Sequence, residues 1–175
     1  MSPRIDLGKF DNSSFDRGAG RFKELMWMMV KAVFFQFHFP LPSALRRFWL
    51  RAFGARVGRR VVIRSGVNIT YPWRFSIGNN CWIGEDVLIL SLNHVEISDN
   101  VCISQRAFIC TGSHDFSSES FDLVTAPVTI GASSWIAAQA FVGPGSTVPA
   151  GTMVAACQRV TSSTYSDVTG SDAAD

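Results

Sequence analysis

Charge is scarce in this sequence, and so are the residues that usually ligate metals. Only 17% of the 175 residues are Asp, Glu, Lys or Arg, which argues against a disordered polymer and for one packed domain with an appendage. The four cysteines, Cys81, Cys102, Cys110 and Cys157, form no CxxC pair. That excludes the usual structural zinc spacings and leaves free thiols in a reducing cytoplasm as the expected state. There are three histidines, His38, His94 and His114, too few and too dispersed in the chain for an expected metal site. No apolar run is long enough to span a bilayer. The best candidate, Leu25 to Phe39, holds Lys31, Gln36 and His38 and meets Pro40, whereas a spanning helix needs about 18 or more apolar residues. No small-residue cleavage site follows that run, so no signal peptide is expected. Familiar nucleic-acid-binding motifs are absent, which removes nucleic acid from the expected partners. Acids are also scarce at the start. Residues 1–64 carry thirteen Lys/Arg against four Asp/Glu, a balance of +9, and residues 65–175 carry three against ten, a balance of −7. Such a split favours an anionic partner for the N-terminal part, either a membrane surface or a phosphorylated ligand.

The chain divides into three zones: 1–55, 56–161 and 162–175. Residues 1–20 read as an irregular arm. Residues 21–38 read as a helix that Pro40 and Pro42 terminate. Ser43 is the expected N-cap of a second, basic helix, Ala44 to Phe53, stopped by Gly54. This helical hairpin has two readings, packing on the main domain or lying on a membrane surface. Residues 162–175, SSTYSDVTGSDAAD, carry three acids and no base, and read as a disordered tail.

From Val57 an aliphatic residue recurs every six positions: Val57, Ile63, Ile69, Ile77, Ile83, Ile89, Ile97, Ile103 and Ile109, then Ile130, Ile136, Val142, Val148, Val154 and Val160. A small residue usually follows, as at Gly58, Gly78, Gly84 and Ala137. Neither a helix nor an alternating strand has this period. A solenoid does: each hexapeptide makes one strand and one turn, and three close a triangular coil of about 18 residues. The aliphatic side chain fills the prism and the small residue permits the corner. Early coils step by twenty instead, and the paired extra residues recur as Phe75-Ser76, Val95-Glu96 and Val128-Thr129. The expected fold is mainly β: a parallel β-helix of about five coils, with an N-terminal helical hairpin and one inserted loop, 115–127.

The hexapeptide run from Val57 to Thr161 resembles the left-handed β-helix acyltransferases. More narrowly, FGARVGRRVVIRSGVNITYPW, CTGSHDF and TAPVTIGASSWIA resemble the bacterial exopolysaccharide acetyltransferases of the colanic acid type. The handedness is implied by this resemblance and not by spacing. So are an acetyl-CoA-dependent O-acetyltransferase activity on a sugar or lipid-linked sugar acceptor and a homotrimer. The +9 balance and the apolar run from Leu25 to Phe39 separately motivate peripheral contact of the N-terminal hairpin with the inner, cytoplasmic face of the membrane. In the family, a His at the coil-to-loop junction is the general base, and His114 in Gly112-Ser113-His114-Asp115 holds that position. Its alternative is a surface histidine without a role. Trp135, Ala137, Ala155 and Ala156 match the coil edges that bind the pantetheine arm, and Arg159 is the base left near the CoA phosphates. Trp135 reads equally as a structural edge residue.

His94 lies twenty residues before His114, so the two side chains are expected to stack on one edge. His94 then lines the acceptor pocket or is a solvated corner residue. Tyr71, Trp73, Asp86, Asn93 and Asp115 are further candidate acceptor contacts. A metal site of the γ-carbonic-anhydrase type would need a third ligand, for which only His38 remains. The family usually continues past the last coil with a basic segment that serves the CoA phosphate site. The acidic tail here departs from that pattern, which keeps a non-catalytic trimeric scaffold or binding module open as the alternative.

Overall fold

The computed structural model describes residues 5–36 and 41–162; the tail expected over 162–175, apart from Ser162, lies outside these, as do Pro40 and His38. From Arg56 onward, fifteen short strands stack into three five-stranded parallel sheets. The first face holds Arg56–Val57, Phe75–Ile77, Val95–Ile97, Val128–Ile130 and Thr147–Val148. The second holds Val62–Ile63, Trp82–Ile83, Cys102–Ile103, Trp135–Ile136 and Met153–Val154. The third holds Asn68–Ile69, Leu88–Leu90, Phe108–Cys110, Phe141–Val142 and Arg159–Val160. Five strands on each of three faces make five coils.

The six-residue period works as anticipated. Ile63, Ile83, Ile103, Ile136 and Val154 form one inward column at zero exposure, and each such burial stabilises the fold by roughly 1.5–3 kcal/mol. Small residues at the corners are needed because neighbouring coils nearly touch: a Cβ on Gly58 would lie 2.5 Å from the Gly78 backbone. The tight corners turn through left-handed residues. Arg60, Asn80 and Asn100 have φ of 55–59°, and Asp86, Arg106, Gln139 and Cys157 of 58–61°. The recurrent extra residues fall in one register, Phe75 beside Val95 beside Val128. They lengthen the first-face strands and leave the third-to-first corner longer than the other two. All four cysteines are free.

Helix α1, Arg21–Lys31, continues as a π-helical turn, Ala32–Gln36, and α2 spans Ser43–Ala52. The first helix therefore changes its winding at Ala32 rather than running on as one α-helix. Ser43 is not an N-cap. It is the first helical residue, and its hydroxyl both accepts from the Ile63 N–H and donates to the Ile63 carbonyl, at 3.1 Å each. A solenoid ends in unpaired carbonyls, and the hairpin supplies their donors. Arg46 reaches the Ile63 carbonyl at 3.1 Å, Arg47 that of Val61 at 2.6 Å, Arg51 that of Val57 at 2.7 Å, and Trp27 Nε1 that of Ile69 at 2.9 Å. Trp27, Phe35 and Leu50 are buried beneath the two helices. Of the two readings of the hairpin, packing on the domain is realised. It does not use up the helix: Phe22, Leu25, Met26, Met29 and Val33 remain exposed, on the i, i+3, i+4, i+7, i+11 face. No helix among the described residues is long and apolar enough to cross a membrane.

Candidate active site

The third coil leaves the prism at Thr111 and rejoins it where Ala126 N–H donates to the Thr111 carbonyl at 3.0 Å. Between these points Gly112–His114 pairs antiparallel with Leu123–Thr125, with His114 opposite Leu123. The insertion thus begins at Gly112, three residues before the expected loop, because those residues pair across a hairpin and not with the coil below. Its root is held by buried Thr111, whose hydroxyl donates to the Leu90 carbonyl at 2.7 Å and accepts from Asn93 N–H at 2.9 Å. Asn93 Nδ2 meets Thr125 Oγ1 at 3.3 Å, on the returning strand. The Ser/Asp-rich tip closes on itself. Asp115 accepts from the Ser117 N–H and hydroxyl at 2.8 and 2.5 Å, and these bonds hold its carboxyl below the usual aspartate range. Such turns are what short polar side chains favour.

His114 is exposed at the base of this tip. Its ring lies flat on Phe121, with centroids 4.3 Å apart and planes 2° apart, and Phe10 of the arm approaches at 5.5 Å. Its Nδ1 is 2.8 Å from the Phe121 carbonyl oxygen. A carbonyl only accepts, so in the neutral ring Nδ1 carries the hydrogen and Nε2 keeps its lone pair. Phe121 has φ of 53°, a left-handed conformation that costs a bulky residue roughly 1–3 kcal/mol. The sequence reading missed Phe121 and Phe10. The only hint was that the Ser/Asp-rich part of the loop carries two aromatics, Phe116 and Phe121, with nothing to single out the second.

The arm is not free of the domain. Lys9 pairs with Glu119 at 2.7 Å and Asp6 N–H donates to the Glu119 carbonyl at 2.9 Å. Further along, Arg74 donates to the Asp16 and Leu92 carbonyls, and Trp73 Nε1 donates to the Arg17 carbonyl at 2.7 Å. The arm therefore runs down the third-to-first corner from the His114 hairpin to the start of α1.

His94 does not stack under His114. The step of twenty suggested it, but Val95 pairs with Val128 and the His94 carbonyl accepts from Val128 N–H at 3.0 Å. Pro127 occupies the place above His94, because the hairpin carries His114 off the coil. Among the described residues no hydrogen bond or ring contact joins the two imidazoles. His94 instead borders a cavity of about 220 Å³ with Arg56, Trp73, Arg74 and Ser76. Tyr71 belongs to the same corner, stacked on Trp73 with centroids 5.0 Å apart.

The remaining candidates stand elsewhere. Asp86 turns the second-to-third corner with φ of 58°, its carboxylate 3.8 Å from Arg106 Nε. Ala137, Ala155 and Ala156 share that corner, and Trp135 lies outward on the second face, half exposed, its Nε1 donating to Ser104 Oγ at 2.8 Å. The Ala137 N–H is taken by the Val154 carbonyl at 2.9 Å and the Ala155 N–H by Gln158 Oε1 at 2.9 Å. The Ala137 and Ala155 carbonyls accept from the Ala140 and Gln158 N–H groups at 3.2 and 3.1 Å, so each keeps a second lone pair for a ligand. Arg159 is exposed on the third face of the last coil. One prism thus keeps His114 and the alanine edge on different corners. Among the described residues no group of three or more His, Cys, Asp and Glu could hold a metal ion.

Known proteins resemble this chain in sequence and in fold. WcaF of Escherichia coli (strain K12), which bears the name of a colanic acid biosynthesis acetyltransferase, is 40% identical over 151 residues, covering 86% of this chain and 83% of its own. Galactoside O-acetyltransferase of the same strain is 25% identical over 136 residues, 75% and 67% of the two chains. The hexapeptide-repeat acetyltransferase VCA0836 of Vibrio cholerae O1 biovar eltor, solved in complex with acetyl coenzyme A, superposes with a TM-score of 0.70 at 22% identity, covering 86% and 83%. A maltose O-acetyltransferase from Clostridium difficile 630 gives 0.59 at 22% identity, covering 79% and 78%. No family model matches the chain.

Proposed function

The chain belongs to the acetyltransferase family of WcaF, and from that premise we propose that it moves an acetyl group from acetyl-CoA to a sugar hydroxyl of a surface-polysaccharide precursor. One observation carries the chemistry: the 2.8 Å bond from His114 Nδ1 to the Phe121 carbonyl, which leaves Nε2 as the basic nitrogen. In this reading Nε2 takes the proton of the acceptor hydroxyl as that oxygen attacks the thioester carbon. The C–O bond forms, the C–S bond breaks, and the imidazolium gives its proton to the departing sulfur. The Phe121 carbonyl steadies the imidazolium through Nδ1–H. Backbone N–H groups stabilise the developing oxyanion. Direct transfer is supported by the state of the thiol that lies nearest to His114 in the sequence. Cys110 is buried, and burial pushes its pKa up, which makes it a poor nucleophile.

Acetyl-CoA supplies the activated acetyl group. Trp135, Ala137, Ala155 and Ala156 fit its pantetheine arm, since the three alanines themselves put no bulky side chain against a ligand, and Arg159 suits its phosphates. His114 lies on another corner, so the site is complete only when the alanine edge of one prism meets the hairpin of another. That supports a homotrimer with three equivalent sites. His94, Asn93, Asp115, Tyr71 and, from a neighbouring copy, Asp86 are the acceptor contacts of this reading. The protein works in the cytoplasm at the inner face of the membrane. The exposed Phe22–Val33 stripe and the +9 balance of residues 1–64 support contact with anionic lipid there, and the carbonyls that Arg47 and Arg51 bind neutralise none of that charge. The deciding experiment screens acetyl-CoA consumption against sugar acceptors. Transfer is expected with at least one acceptor and lost in His114→Ala; no transfer to any sugar refutes the reading.

A further inference from the structure

The cavity beside His94 gathers positive charge. Arg56 and Ser76 reach it from neighbouring strands of the first face, whose register sets Arg56 beside Ser76 and Ser76 beside Glu96. Arg74 lines it with a side chain only 14% exposed. The terminal nitrogens of Arg74 donate to the Leu92 and Asp16 carbonyls, which cancel none of its charge. Its carboxylate partner, that of Asp16, stands 3.8 Å away and is 89% exposed. Lys23 adds a third cation at the rim: its Nζ lies 3.5 Å from where a Cβ on Gly54 would stand, and Gly54 is part of the lining. Among the described residues Arg56 and Lys23 form no ion pair, and the His94 ring forms no hydrogen bond. Glu96, the next acid in the outward column, is exposed and outside the lining.

A cation drawn this far out of water calls for a close anion, which neutral carbonyls do not replace. Phosphate answers the set. Two guanidiniums, an ammonium, an imidazole and the Ser76 hydroxyl offer more donors than the two oxygens of a carboxylate can take, and the planar fork of Arg matches phosphate geometry. The volume of about 220 Å³ is several times the roughly 30 Å³ of a water and lies below the roughly 300–1,000 Å³ of clefts for drug-sized ligands, so it suits a small anionic group. The place of the cavity ties it to the transfer site. Asn93, next to His94, binds Thr125 of the hairpin's returning strand at 3.3 Å. The arm bounds the separation, since Phe10 meets the His114 ring and Asp16 meets Arg74. Six residues of chain span at most about 20 Å, close enough for one phosphorylated saccharide to meet both. Arg159, the base assigned to the CoA phosphates, stands elsewhere, on the third face of the last coil.

We propose that this cavity holds a phosphate group of the acceptor, so that the sugar is acetylated as a glycosyl phosphate ester and not as a free sugar. The proposal rests on the acetyl-transfer reading above for the acceptor's being a sugar. Binding is read first without turnover, in the full chain saturated with coenzyme A so that the cofactor's own phosphate site is filled. Inorganic pyrophosphate, the linkage common to nucleotide-linked and lipid-linked sugars, is titrated while the imidazole resonance of His94 is followed, assigned by its loss in His94→Gln. The resonance should shift, and Arg56→Ala and Ser76→Asp, with folding checked by circular dichroism, should each weaken the titration about tenfold, the least expected for losing or opposing one charge-assisted hydrogen bond. No shift, or a titration that both variants leave unchanged, overturns the subsite. Turnover then separates the carriers, with galactose, a nucleoside diphosphate galactose and a polyprenyl diphosphate galactose in phosphatidylcholine vesicles compared as acceptors. Preference for either diphosphate over galactose, cut about tenfold in Arg56→Ala, supports the subsite, and the preferred form identifies the carrier. A preference that survives in Arg56→Ala, or equal use of all three, overturns it. Pyrophosphate binding that the variants weaken, with no acetyl transferred to any sugar, keeps the subsite and sinks only the transfer reading.

Discussion

Replacing His114 by alanine separates a chemical role from a structural one. General base catalysis contributes about 10²–10⁴ in rate, so His114→Ala should lower turnover by at least about a hundredfold, or roughly 2.7 kcal/mol of barrier. The structural loss is bounded by what the ring touches. The stack on Phe121 is worth about 0.5–1.5 kcal/mol and the hydrogen bond to its carbonyl about 0.5–1.5 kcal/mol. Release of the left-handed strain at Phe121 offsets part of that. Stability should therefore fall by less than about 3 kcal/mol, confined to an exposed hairpin, while turnover collapses. Thiol release from acetyl-CoA reports the first quantity and a urea midpoint the second. A companion variant tests the geometry: Phe121→Gly keeps the carbonyl and accepts the positive φ readily, so it should retain activity to within about tenfold. Turnover of His114→Ala within about tenfold of the unaltered protein would refute the base assignment. Equal loss in Phe121→Gly would refute the argument that the carbonyl, and not the stacked ring, sets the tautomer.

Three other parts of the molecule lend themselves to test. Arg46→Leu should destabilise the fold by about 3–5 kcal/mol, because buried Arg46 serves the carbonyls of Phe34, Leu41 and Ile63 and an unmet buried carbonyl costs about 1–3 kcal/mol; a denaturation shift under about 1 kcal/mol rejects its capping role. Light scattering at micromolar concentration should give three chains per particle, and a monomer would leave the alanine edge and the His114 hairpin on separate corners with no shared site. Flotation with anionic vesicles should carry the protein, and charging the stripe by Leu25→Glu with Met29→Glu should release it; equal flotation of the two proteins removes the membrane contact.

The period of six is a one-dimensional record of the prism, so the inward column from Ile63 to Val154 and the corner glycines were legible in the sequence. A steric rule that repeats in every coil writes itself into every coil. The single interruption after Ile109 was legible for the same reason, and with it the prominence of His114. Features set by long-range pairing were hidden. Ser43 looked like a helix cap, since the Ile63 backbone that takes its hydroxyl stands twenty residues away. The spacing of twenty placed His94 beneath His114, but antiparallel pairing of Gly112–His114 with Leu123–Thr125 moved the imidazole off the coil. The basic residues of α2 suggested an anionic partner, yet three of its arginines first satisfy carbonyls at the open end of the solenoid, a need that exists only once the coils have stacked. Phe121 has no motif at all: its role comes from a backbone angle, and only the closed hairpin sets that angle and brings its carbonyl to His114.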